Sequence, residues 1–232
     1  MPSKKKDAQN ITSDTLRDAW ESLGIAFAFN KSETNHADPE KTLLQALKEF
    51  NEDRKMLKLT LAWLKEYGQL VHVERLRALA GSLSAAELAW LGGLALYQVE
   101  NADFRWRAIV QFVEKKLGNP SPQFLLSPFE ELQAKRLGTD PCFKKFGLSI
   151  PLTEASDAKK IRPRQHVVTG NLWLRTRTLF GTNWRADIAT VMVEHLVETP
   201  YQASKLLGCN YETASRNWKS LKEAQIEALL KK

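Results

Sequence analysis

Tyr211, Glu212, Thr213, Ser215, Arg216 and Lys219 crowd into one short stretch, and their side chains suit contact with the edges of nucleic-acid bases. Arginine can donate two hydrogen bonds to guanine, a carboxylate can accept from cytosine, and hydroxyls serve in either sense. For this chemistry the six must stand on the outward side of a helix. The same stretch supplies an inward side. Ala214, Trp218 and Leu221 recur at intervals of four and three, the apolar stripe of an amphipathic helix. Upstream, Thr199 suits an N-cap and Pro200 a first helical position, which predicts a short helix over 200–207. Gly208-Cys209-Asn210 reads as a turn in which glycine can take a positive φ. Two short helices joined by such a turn cross at about 90–120°, and the small Ser204 suits the point of contact. Tyr201, Gln202, Lys205 and Lys222 are candidate phosphate contacts beside this unit. Arg162, Arg164, Arg175, Arg177 and Arg185 are further candidates: Arg162 and Arg164, beside Pro163, read as a solvated linker or as a minor-groove arm, and Arg175, Arg177 and Arg185 as phosphate contacts or surface ion pairs.

The charge distribution agrees with that placement. The 232 residues carry a formal net charge of +7. From Met1 to Ala158 there are 21 basic and 21 acidic residues, whereas from Lys159 onward there are 13 basic and 6 acidic. The whole excess lies on the last third, so a polyanion is drawn to one part of the molecule.

The elements that must carry this unit read as helices throughout. A first helix is predicted from Ser13 to about Phe29, with Leu16, Trp20 and Leu23 on one face. Asp38 is a good N-cap before Pro39 and Glu40, opening a helical pattern that runs to Tyr67 with a break near Asn51. Another helix spans Gln69 to Ala80. Ser84 and Glu87 form a capping box, and Ser127 and Glu130 form a second. Gly92-Gly93 inside a helix costs helical propensity, which predicts a close crossing there. Helices are also expected over 102–117, 171–179 and 184–197, the last capped by Asn183. The expectation is an all-α or nearly all-α protein: a helical-bundle body over 1–150, a basic linker over 151–166 and a helix-turn-helix domain over 167–232.

From Tyr201 through Leu221 the chain resembles the helix-turn-helix of winged-helix bacterial transcription regulators, of which the ArsR/MarR-like group is the nearest. The resemblance rests on Thr213-Ala214-Ser215-Arg216 followed by Trp218-Lys219 and Leu221, and on the lead-in from Leu172 to Gly181 with Arg185-Ala186-Asp187. It covers only the C-terminal part. Ala214 and Trp218 depart from the usual branched aliphatics, and the composition of 225–232 favours helix over a wing strand. The resemblance implies sequence-specific binding of double-stranded DNA, regulation of transcription and a homodimer that reads two half-sites, with the body supplying most of the interface.

Other readings compete with it. A helix-turn-helix face can dock a partner protein, as in an antitoxin or adaptor. An enzyme with its site in the helical body is a further alternative, although no phosphate-binding loop, dinucleotide fingerprint, His-Glu-x-x-His or Gly-x-Ser-x-Gly occurs. No catalytic residue, cofactor or metal is expected. His72 and Glu74 lack a third ligand nearby in sequence, and Trp63, Trp90 and Trp106 at helical spacing read as core. No apolar run approaches the roughly 18 residues of a membrane span. The basic start Met1–Lys6 is not followed by a signal-peptide apolar region. The two cysteines, Cys142 and Cys209, suit a reducing compartment. A cytoplasmic location is expected, with no membrane partner. Cys209 reads as a small buried residue.

Overall fold

The structure is a computed structural model that describes residues 13–27, 36–118, 128–152 and 158–230. The fold is all-α. Its fourteen α-helices among the described residues are α1 Ser13–Ser22, α2 Pro39–Glu49, α3 Arg54–Tyr67, α4 Val73–Leu79, α5 Ala85–Glu100, α6 Arg107–Leu117, α7 Pro128–Leu137, α8 Pro141–Lys144, α9 Arg164–Gly170, α10 Leu172–Phe180, α11 Trp184–Val193, α12 Pro200–Leu207, α13 Tyr211–Glu223 and α14 Ile226–Leu230. Only two isolated backbone bridges occur among these residues, Ile25 with Ile161 and Thr139 with Pro151. The first helix is shorter than its pattern suggested, because Gly24 takes φ +99° and turns the chain toward that first bridge.

Capping chemistry places most helix starts. The Asp38 side chain accepts from Lys41 N, Asn183 from Arg185 N and Ala186 N, and Thr199 from Gln202 N. Ser84 and Glu87 complete the capping box at α5. Ser127 of the second box lies outside the described residues.

The apolar interior falls into two clusters. The larger runs through α1 to α6, α8 and α9 around Trp20, Trp63, Trp90 and Trp106, all fully buried. Trp20 meets Trp63 edge-on at 5.4 Å, the T-shaped arrangement that aromatic pairs favour. Gly92 and Gly93 permit the close approach expected of them. A Cβ on Gly93 would stand 2.2 Å from Phe143 Cδ1, and one on Gly92 2.7 Å from Phe146 Cδ1. The crossing element is therefore α8 with the turn that follows it.

The smaller cluster joins α10 to α14 through Leu172, Trp173, Ile188, Met192, Leu207, Trp218, Leu221 and Ile226. The segment expected to be a free linker is tied to the body where it is described. Ala26 N donates to Lys160 O, Arg162 N to Gly24 O, and Tyr67 Oη to Arg162 O at 2.5 Å. Val167 of α9 belongs to the larger cluster.

Candidate nucleic-acid interface

Helix α13 stands at the edge of the smaller cluster. Asn210 caps it by accepting from Thr213 N at 2.7 Å, and the chain reaches it through Gly208 at φ +80°. That left-handed conformation costs glycine little and most other residues more. Gly208 N donates to Ser204 O at 2.9 Å, closing α12. Ser204 is buried at the crossing, and its Oγ donates to Tyr201 O. Ala214, Trp218 and Leu221 face inward and are buried against α11 and α12.

Burying those three leaves the other side of α13 in solvent. Tyr211, Glu212, Arg216 and Lys219 are exposed, while Thr213 and Ser215 are half-buried. The Glu212, Arg216 and Lys219 side chains make no hydrogen bond or ion pair within the described chain, so their charges are free to meet a ligand. Tyr201, Gln202, Lys205 and Lys222 are also exposed. Lys205 Nζ lies 5.5 Å from the Tyr201 ring centre, and Gln202 Oε1 accepts from Glu198 N at the start of α12. After α13 the chain forms α14 rather than a strand. A wing therefore has no counterpart among the described residues.

The arginines expected at phosphate divide differently. Arg177 is wholly buried and cannot reach a phosphate. Its guanidinium donates to Glu40 Oε1 and Oε2, both at 2.7 Å, to Asp187 Oδ1 at 2.9 and 2.7 Å, and to Leu70 O at 2.9 Å. Arg162 is not a mobile arm. Its backbone is pinned to Gly24, and its guanidinium pairs with Glu21 at 2.9 Å on the body side. Arg185 is half-buried and donates to Ser220 Oγ at 3.1 Å, bracing α11 against α13. Arg175 is half-buried as well, with a buried Nε that lacks a partner. Arg164 is exposed at the start of α9.

Arg177 belongs to a buried charged network that positions the interface. Glu40 also accepts from Arg75 Nη1 at 2.5 Å and from His72 N at 2.8 Å. Arg75 forks onto Asp38, and Trp173 packs beneath both guanidinium groups, at 4.6 Å from Arg75 and 5.5 Å from Arg177. His72 Nδ1 lies 2.6 Å from Asp187 Oδ2, and Trp184 meets the imidazole edge-on. An ionised carboxylate only accepts, so Nδ1 carries the proton. The network links α2 and α4 of the body to α10 and to α11, the helix on which α12 and α13 rest. Asn171 adds neutral ties, donating to Ser22 Oγ and Ala37 O.

Nothing in the sequence reading paired these residues, although a signal was present. Glu40 lies on the buried stripe of Leu43, Leu44 and Leu47, Arg177 four residues after Trp173, and Asp187 four before Val191. A charged residue in register with an apolar stripe is buried only with a partner.

The network makes acid stability predictable. Burial alone raises the Asp187 pKa. The Arg177 charge, the His72 hydrogen bond and Arg75 more than reverse this and hold it well below the usual carboxylate range. Asp38 behaves alike, burial being outweighed by Arg75. Depressed folded-state values stabilise above the unfolded carboxylate pKa of about 3.9, and that contribution fades as pH falls toward the folded values. The urea midpoint is expected to drop steadily below about pH 4, with a shallower drop in Asp187→Asn. Equal slopes for the two proteins would refute the assignment.

Other site chemistry is sparse. No group of three or more His, Cys, Asp or Glu side chains suited to a metal occurs among the described residues. Cys209 is half-buried in the turn, and burial pushes its thiol pKa up. Among the described residues no helix is long and apolar enough to cross a membrane. Comparison with protein-family models, curated proteins and solved structures gives no match, so the chemistry of this surface is argued from its own residues.

Proposed function

We propose that the chain binds double-stranded DNA with α13 in the major groove, and that it regulates transcription in the cytoplasm as a homodimer reading two half-sites. The observation that carries this is the exposed row of Glu212, Arg216 and Lys219, without partners in the chain, on a helix seated firmly by Ala214, Trp218 and Leu221. Groove readout needs unpaired donors and acceptors on a rigid support. The concentration of basic residues after Lys159 adds the attraction for phosphate. Kinship with the ArsR/MarR-like regulators is part of the same proposal, with α14 following the recognition helix.

Roles follow from position. Arg216 suits a guanine edge and Glu212 a cytosine amino group, with Tyr211, Thr213, Ser215 and Lys219 beside them. Tyr201, Gln202, Lys205 and Lys222 fit phosphate contacts that set register.

A salt titration with random duplex tests the proposal. Each cation at a phosphate contributes about −0.9 to the slope of log affinity against log salt, so Lys205 and Lys222 together predict a slope of about −2. No measurable duplex affinity would overturn it and favour a protein partner for the same face. Duplexes selected from a random pool then allow a residue test. Arg216→Ala is expected to weaken the selected site by about 1–3 kcal/mol and to relax one base preference, leaving the unfolding midpoint unchanged. Equal losses on selected and random duplex would make Arg216 a phosphate contact instead.

A further inference from the structure

A cleft of about 300 Å³ opens between α11, the end of α13 and α14. Its floor is apolar, because Met192, Leu221 and Ile226 line it and are buried. Two opposite charges stand on its rim. Lys222 lies in the last turn of α13 and Glu227 in the first turn of α14. Lys222 is exposed and Glu227 half-buried. Both line the cleft, yet neither side chain makes a hydrogen bond or ion pair among the described residues. The turn between them passes through Gln225, which also lines the cleft and takes φ +49°, a left-handed conformation unfavourable for a residue with a side chain. Backbone strain of this kind gathers at ligand clamps.

We propose that this cleft binds a free amino acid with an apolar side chain. Each part of the cleft selects one part of that ligand. The floor takes the side chain, Lys222 pairs with the carboxylate and Glu227 with the ammonium group. An uncharged apolar molecule would leave both rim charges unmatched, and a simple anion would face Glu227. The volume is at the small end of ligand sites, which suits one amino acid better than a nucleotide or a peptide. Hydrogen bonds between charged partners at both ends are of the stronger kind.

The site bears on DNA through Lys222, and this part alone rests on the proposed function. A cation held by the ligand carboxylate is withdrawn from phosphate. The bound amino acid therefore lowers duplex affinity, and duplex lowers amino-acid affinity by the same factor.

Isothermal titration of the full chain with L-leucine, in the absence of DNA, tests the site, and binding in the millimolar range or tighter is expected. Isocaproate, isoamylamine and glycine lack the ammonium group, the carboxylate and the apolar side chain in turn. Each should bind the wild-type chain about tenfold or more weakly than L-leucine. Lys222→Gln and Glu227→Gln should weaken L-leucine by a similar factor, and Glu227→Gln should leave duplex affinity without leucine unchanged. No binding of L-leucine, or binding that neither variant weakens, overturns the site. Isocaproate or isoamylamine binding as tightly as L-leucine overturns the assignment of a zwitterion. Leucine that binds without lowering duplex affinity overturns the coupling alone. A chain that binds leucine and no duplex loses the proposed function and the coupling while keeping the site.

Discussion

Arg177→Ala is expected to lower the unfolding free energy by about 3–5 kcal/mol, the range seen when one member of a buried ion pair is removed. Arg177 is the shared cation between Glu40 and Asp187, and all three side chains are fully buried. Without it, two carboxylates face one another with Arg75 as the remaining guanidinium of the network, and a cavity opens beside Trp173. The cost comes from charge left uncompensated in a poorly solvated site, so truncation hurts more than the intact network helps. Urea unfolding at pH 7 followed by far-ultraviolet circular dichroism measures it. A loss below about 1 kcal/mol, the usual worth of an exposed ion pair, would mean that water reaches the network. Because Arg177 joins α10 to α2, the variant should also raise amide exchange in α10 and α11.

The second large effect is expected at Trp218. Trp218→Ala should cost about 3–5 kcal/mol, as for buried tryptophans elsewhere. Its indole is 8% exposed and fills the space between α13 and the helices beneath it. The larger cluster does not contain this residue, so the loss should be local. Amides over 211–223 are expected to exchange faster while those of α3 and α5 keep their protection, and duplex affinity should fall with the order of α13. Arg216→Ala makes the contrast, losing affinity at unchanged stability. Loss of α3 and α5 protection together with α13 would show that the chain unfolds as one cooperative unit.

These two residues differ in how plainly the sequence announced them. Trp218 was legible because its partners Ala214 and Leu221 lie within one turn on either side, and helical periodicity is a local property of the chain. The caps at Asp38, Ser84, Asn183 and Thr199 were legible for the same reason, since each bonds an amide two or three residues ahead. Gly208 announced its turn through the one backbone freedom it has. Arg177 looks locally like a phosphate contact, because its partner Glu40 lies 137 positions away. Around Arg162 the local sequence suits a solvated linker or an arm equally, because Glu21, which holds it, lies 141 positions away.

Sequence alone determined the all-helical class, most helix starts, the crossing at Gly92-Gly93 and the two-sided character of α13. All of these follow from interactions within a few residues, or from steric limits on one residue. Only the tertiary structure decided which charges are buried and which are free. An arginine has the same local pattern whether it faces water or a carboxylate, and the difference is fixed by helices brought together from far along the chain.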